Sequence, residues 1–241
     1  MFRLPPLPPF TKASLITFFV CLVLENVALN FLGLNPDAVV ALMLTTGSLG
    51  LENLWQLFTH PFLSVPGPRG LTDFLLSGLF YWWMMAPFEA RYGSRRAAQL
   101  AVAVVLGSGI AARVVGAFFA PAVITGFGEI VSGVIAAYAW ALRGQGALSF
   151  FGVIDLRAEQ LLGLLVAFTV LQFIVAPSAA LLAAGLAAVA IGVGFMEWVQ
   201  NQGRPKPPRK RKDSGSRRRR NGLRVIDGEG QGSDEAPKWL N

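Results

Sequence analysis

A chain of 241 residues that is 54% hydrophobic and only 15% charged falls well below the roughly 25% charged residues of a soluble domain, which excludes an ordinary water-soluble globule and indicates an integral membrane protein. The net charge of +7 is not spread over the fold, because 11 of the 21 Lys and Arg lie between Arg204 and Arg224. One cysteine, Cys21, and one histidine, His60, exclude an intramolecular disulfide, a cysteine cluster and a multi-histidine metal site, so no metal or cofactor is expected.

A membrane helix needs about 20 apolar residues, and six segments meet or approach that length. After a short N-terminus, 1–12, the first is 13–32. The apolar run is too long for a signal-peptide core and lacks a small-residue cleavage site, so it reads as an uncleaved span. Glu25 and Asn26 interrupt it, and that face is expected to turn inward. The connection 33–69 is broken by Pro36, Pro61, Pro66 and Pro68 and is too short to span twice. It predicts interfacial, partly embedded helices, with Trp55 and Phe58 at headgroup level.

The second span is predicted over 71–88, followed by a polar loop, 89–96, and a third span, 97–118. Pro121 lies in the link to the fourth, 126–142. Its first half, Gly126-Phe127-Gly128-Glu129-Ile130-Val131-Ser132-Gly133-Val134-Ile135-Ala136-Ala137, is rich in small residues that let helix backbones approach closely. Its one carboxylate, Glu129, is costly at the mouth of a membrane helix unless it lines a wet cavity or finds a partner. This segment reads as a central helix with its N-terminal end facing a polar pocket. A loop, 143–160, leads to a fifth span, 161–176, ended by Pro177. In the sixth, 179–199, Ala180, Ala184, Ala188 and Gly192 recur every four residues and predict one smooth packing ridge.

Lys and Arg near the span ends set the orientation. Arg3, Lys12, Arg91, Arg95, Arg96, Arg143, Arg157 and the basic tail fall on one side, and Arg69 and Arg113 on the other. Both termini are expected in the cytoplasm of a multi-pass protein, in a bacterial inner membrane, with 33–69 outside. The tail, 200–241, is Pro-, Gly- and Arg-rich and is expected to be disordered. Its two basic blocks, Lys210, Arg211, Lys212 and Arg217, Arg218, Arg219, Arg220, suit anionic lipid headgroups at roughly 1 kcal/mol per charge, a protein partner, or a plain topology anchor. No aromatic residues interleave with them, which argues against nucleic acid.

Four stretches carry a resemblance. Trp55-Gln56-Leu57-Phe58-Thr59-His60-Pro61-Phe62-Leu63 resembles the end of the first outer loop of rhomboid intramembrane serine proteases. Pro87-Phe88-Glu89-Ala90-Arg91-Tyr92-Gly93-Ser94 resembles the end of their second span, and the run from Gly126 to Ala137 resembles the Gly-x-Ser-Gly start of their fourth. Ser149-Phe150-Phe151-Gly152-Val153-Ile154 is similar to the loop before their fifth. The resemblance implies an all-α membrane protein, a six-helix rhomboid-like bundle over 13–199. It also implies a serine on the fourth span, a histidine on the sixth, and second-span side chains that help hold the oxyanion. Here the serine position reads Gly128 and the residue after it Glu129. The histidine position reads Leu182, and the second-span pair reads Asp73 and Ser77. Ser132, followed by Gly133, mimics the Ser-Gly pair one turn deeper. No histidine lies on a predicted span, and a serine without a base is a weak nucleophile at neutral pH.

Glu129 has three readings: a client contact in the pocket, a partner for Arg113, or a carboxylate stabilised by the helix dipole. A carboxylate pair between Asp73 and Glu129 would share a proton, but the sequence context differs from that of intramembrane aspartyl proteases. The resemblance, with its reaction groups replaced, implies a pseudoprotease that binds transmembrane helices of client proteins without cleaving them. Clients would pass between the second and fifth spans to a polar cavity near Asp73, Ser77, Glu129 and Ser132. The alternatives are an active protease with an unusual site and a membrane tether acting through its basic tail.

Overall fold

The computed structural model describes residues 6–47, 50–64, 67–144, 147–150 and 154–202, all within one compact unit, Met1–Arg204. Both basic blocks and the disorder expected of the tail lie outside the described residues. Eight α-helices occur among the described residues: α1 (Pro9–Asn30), α2 (Pro36–Val40), α3 (Gln56–Thr59), α4 (Pro68–Tyr92), α5 (Ser94–Phe118), α6 (Gly128–Ala141), α7 (Ala158–Val175) and α8 (Ala179–Gln202). Four of them, α1, α5, α7 and α8, are long and apolar enough to cross a membrane. At 25 residues α4 is as long as α5, but Asp73, Tyr81, Trp82, Trp83 and Pro87 dilute its hydropathy. With 14 residues, α6 is about 21 Å long, short of the ~30 Å hydrocarbon core of a bilayer.

The expected polar loop at 89–96 is not a loop. The helix continues through Pro87 to Tyr92, and Gly93 alone turns the chain into α5. Its φ of +85° is open to glycine and strained for other residues. The reason for the continuation is Glu89, whose carboxylate accepts from Phe10 N at 2.9 Å, Thr11 N at 2.8 Å, Thr11 Oγ1 at 2.7 Å and Ser94 Oγ at 2.5 Å. The first backbone N–H groups of α1 have no helical acceptor, and a carboxylate there satisfies them and complements the helix dipole. One buried side chain thus ties the start of α1, the end of α4 and the start of α5 together.

The central position expected of the fourth span holds, since α6 packs against α4, α5, α7 and α8. Small residues make this possible. A Cβ at Gly133 would collide with the Val104 side chain of α5 and come within 3.2 Å of the Ala188 carbonyl of α8. The ridge on α8 is also as predicted: Ala180, Ala184, Ala188 and Gly192 are all buried.

The connection before α4 departs from expectation. Besides α2 and α3, which is followed directly by a 3-10 turn over His60–Phe62, it contains a strand, β1 (Leu44–Thr45), and a 3-10 turn over Leu51–Asn53. β1 pairs antiparallel with β2 (Val123–Ile124), matching Leu44 with Ile124. The ladder is extended by Thr46 N to Ala122 O at 3.0 Å, Ala122 N to Thr46 Oγ1 at 2.8 Å and Gly126 N to His60 O at 3.0 Å. Non-helical backbone inside a membrane protein needs such partners. The segment leading into the short α6 finds them in the 44–60 region, so this connection is a structural escort and not only an interfacial mat. Trp55 and Phe58 themselves are exposed. The loop 143–160 also holds an unforeseen hairpin, β3 (Ala147–Phe150) with β4 (Ile154–Arg157), paired from Ala147↔Arg157 to Phe150↔Ile154.

Candidate functional site

The mouth of α6 is built from two contrasting sides. On one side Phe127, the residue before α6, is buried in an aromatic cluster. It stacks on Phe18 of α1 at 4.6 Å with rings 3° from parallel, and meets Phe74 and Tyr81 of α4 edge-on at 5.7 and 6.0 Å. Phe62 joins through Phe18 at 5.3 Å. Such offset and edge-on pairs add to the burial of the rings. The cluster fills the angle between α1, α4 and the start of α6, where a polar cavity was expected. Asp73 is exposed on the first turns of α4 and Ser77 is half-buried one turn on. Among the described residues no hydrogen bond joins Asp73, Ser77, Glu129 and Ser132 to one another.

On the other side Gly128 is exposed, and a Cβ built on it would meet nothing within 4 Å. Ala158, Leu161 and Leu165 of α7 are buried against Ala136 and Ala139 of α6 and Val189 of α8. Beyond Leu165 only Thr169 is buried, while Phe168, Leu171, Ile174 and Val175 are exposed, Val175 to 77%. The first half of α7 therefore covers α6, and at Thr169 the helix packs on Gly185 of α8. Helical spacing carries Gly128 and Ser132, four residues apart, onto the side of α6 that continues into Ile135, Ala136 and Ala139, the face α7 covers lower down.

Glu129 lies one turn before Gly133, on the face of α6 that turns toward α5 and α8. The residue is half-buried, and its Oε2 is enclosed with no hydrogen-bond donor among the described residues. The expected partnership with Arg113 is not formed. The guanidinium of Arg113, itself buried, donates to Gly50 O at 3.0 Å and Asn53 O at 3.2 Å, holding the 3-10 turn before α3 against α5. A guanidinium fork suits two carbonyls in a bend better than one distant carboxylate. Ser132 is half-buried beneath Gly128. Leu182 is half-buried on the first turn of α8. Gly133 meets Ala188, and Gly192 meets Gly133 and Ala137, so α6 and α8 run in the same direction. Extrapolated back by that register, Leu182 comes level with the mouth of α6.

His60, the chain's one imidazole, does not reach this opening. It is buried, and its Nδ1–H donates to Gln56 O at 2.9 Å. The Cε1 edge faces Gly109 of α5, 3.6 Å from a Cβ built there. Burial lowers its pKa to about 4, against the pull of the Gln56 and Leu57 carbonyls, so at neutral pH the ring is uncharged.

One polar residue of α7 was missed. Gln172 lies seven residues after Leu165 and three after Thr169, on the stripe of α7 that is buried lower down, yet it is exposed. A lone amide on the a/d-like seam of an otherwise apolar helix was the signal. Elsewhere, an apolar cleft of about 240 Å³ between α1, α2 and β2, lined by Leu29, Val39, Met43 and Val123 among others, contains none of the candidate residues. No family model matches the chain, and no curated protein is similar to it.

Proposed function

We propose that the chain is a rhomboid-like pseudoprotease of six spans, α1, α4, α5, α6, α7 and α8, that receives a transmembrane helix of a client protein beside α6 without cleaving it. In this reading α6 is a short central span whose mouth lies at depth, escorted by the 44–60 region. Both termini are cytoplasmic and the connection between α1 and α4 is outside, in the inner membrane of a bacterium.

The observation that carries the reading is the open position of Gly128 at the start of α6, exposed and with nothing within 4 Å of a Cβ built there. α4 and α7 both lean on α6, and no substantial interface joins them to each other. In this reading a slot opens to the side at Gly128, beside the exposed Phe168, Leu171 and Ile174 of α7. A helix that enters such a slot buries its own apolar face by close packing, the force that associates helices in lipid. Cleavage is disfavoured in this reading because the residue at the serine position is Gly128, Ser132 has no imidazole near it, and His60 is neutral and engaged elsewhere.

The test uses the full chain in native membranes with a photoreactive amino acid at position 128. The expected result is adducts with membrane-spanning proteins of uncleaved length. The same amino acid at Leu24, exposed on α1, should give none of these adducts. Equal adducts from both positions, or cleavage of a fluorescent transmembrane substrate that is lost in Ser132→Ala, would refute the proposal.

A further inference from the structure

Beyond client binding and independent of it, we infer that the hairpin of β3 and β4 lies in the lipid interface at the basic end of the bundle, with its Leu148, Phe150, Ile154 and Leu156 face laid on the acyl chains. The register carries the first step. Leu148 pairs with Leu156 and Phe150 with Ile154, while Ala147 pairs with Arg157 and Ser149 with Asp155. Residues opposite one another in an antiparallel pair share a face, and so do residues two apart along one strand. The four large apolar residues therefore fall on one face, and Ala147, Ser149, Asp155 and Arg157 on the other. A two-stranded hairpin is marginal in water by itself and needs something to cover its apolar face. The bundle does not supply that cover. β4 leads directly into α7, and among the described residues no other element makes a substantial contact with the two strands.

The place of the hairpin in the fold says what covers it. It joins the end of α6 at Ala141 to the start of α7 at Ala158, so its base lies at one end of the membrane bundle. Aromatic and basic residues mark that level. Arg143 lies over the Trp140 ring at 3.9 Å, and Arg91 and Tyr92 at the end of α4 lie within electrostatic reach of the Tyr138 hydroxyl. Arg91, Arg95, Arg143 and Arg157 are all exposed. Tryptophan and tyrosine gather at headgroup level, and anionic headgroups complement the arginines that flank the hairpin, Arg143 before β3 and Arg157 at the end of β4. Two exclusions then fix the depth. The sheet has only these two strands, so each has an outer edge of backbone N–H and C=O groups with no strand partner. Open edges are barred from the hydrocarbon core, where no water satisfies them. The apolar face bars the hairpin from standing free in water. The boundary between headgroups and acyl chains meets both conditions, because water reaches the edges and the polar face while the apolar face is buried about 5–10 Å deep.

The experiment uses the full chain with Cys21→Ser in nanodiscs of phosphatidylcholine with a minority of phosphatidylglycerol. A nitroxide is attached in turn to Leu148→Cys, Ser149→Cys, Phe150→Cys, Ile154→Cys, Asp155→Cys and Leu156→Cys. Collision with oxygen, which concentrates in lipid, and with a water-soluble nickel chelate reads the depth of each label. Labels at 148, 150, 154 and 156 should lie about 5–10 Å into the boundary and be reached by oxygen, while labels at 149 and 155 should be reached by the chelate. Equal access of the chelate to all six overturns the inference. Shielding of 150 and 154 from both colliders also overturns it, because the cover would then be protein, a second copy or another part of the chain. Should Cys21→Ser not fold, a polarity-sensitive fluorescent amino acid is introduced at 149 or 150 in the chain that keeps Cys21. Emission from position 150 should lie at shorter wavelength than emission from position 149, and equal emission from the two overturns the inference. None of these positions belongs to α6, so client binding at Gly128 stands or falls separately.

Discussion

Gly192 of α8 sits against the backbone of Gly133 of α6. A Cβ added at 192 would overlap the Gly133 carbonyl oxygen, lie 3.0 Å from its carbonyl carbon and 3.1 Å from Ala137 N. The two helices touch backbone to backbone, which only a residue without a side chain allows. Because Gly133 is itself pressed between Val104 and Ala188, neither helix can step aside without disturbing α5. The short α6 is therefore held at its waist by α5 and α8 together, and the mouth at Gly128 inherits its position from this contact.

Gly192→Ala should consequently destabilise the fold by about 2–3 kcal/mol, because the added Cβ would clash with rigid backbone and not with a flexible side-chain end. Gly163→Ala makes the control. That glycine lies inside α7 with nothing within 4 Å of its missing Cβ, so alanine should be neutral or stabilise by up to about 1 kcal/mol through helix propensity. Thermal unfolding of the two variants in the same detergent distinguishes a packing glycine from a permissive one.

Glu89 gives a second prediction. Four donors converge on its carboxylate, and an amide in its place would present one acceptor oxygen and two hydrogens to them. Glu89→Gln should cost about 2 kcal/mol, since hydrogen bonds to a charged group are worth roughly 1.5–3 kcal/mol each and some are retained. The damage should be local as well as global. Amide hydrogen exchange at Phe10 and Thr11 should accelerate more than exchange in α8.

Arg113 is expected to act as a clamp on the outer connection. Arg113→Met keeps much of the side-chain volume but leaves the carbonyls of Gly50 and Asn53 without their donor. A loss of about 2–3 kcal/mol is expected, together with faster limited proteolysis near the 3-10 turn Leu51–Asn53. Arg113→Lys should rescue only part of this, because a single ammonium cannot reproduce the fork that reaches two carbonyls.

His60 sets a pH dependence whose sign can be stated. Its folded pKa, about 4, lies below its ordinary value of 6.5 because burial penalises the charged ring. Between those two values the unfolded chain takes up a proton that the folded chain refuses. Its contribution is thus fully present above pH 6.5 and is lost as pH falls toward 4, by roughly 3 kcal/mol at most. The thermal midpoint should drop over that range, and His60→Gln should flatten the drop even if it lowers the whole curve. A His60→Gln profile as steep as that of the unaltered protein would show that His60 is not the group responsible.

Composition alone determined that the chain is a helical membrane protein, because nothing in water would cover so much apolar surface with so few charges. Periodicity went further where one helix face was decisive. The four-residue recurrence of Ala180, Ala184, Ala188 and Gly192 named the buried ridge of α8 in advance, and the small residues around Gly133 marked α6 as the helix others pack upon. The remaining features are relations between distant segments, which no local pattern encodes. That Glu89 would cap α1 from 78 residues away, that β1 would escort β2 into the bundle, and that Arg113 would turn to the outer connection and not to Glu129 all depend on which backbone groups were left unsatisfied once the helices had packed. The same is true of the opening at Gly128. Most of α7 was legible as apolar helix, but only tertiary structure decided that Ala158, Leu161, Leu165 and Thr169 are its buried stripe, because that choice is set by packing against α6 and α8 and leaves no mark in the hydrophobic repeat.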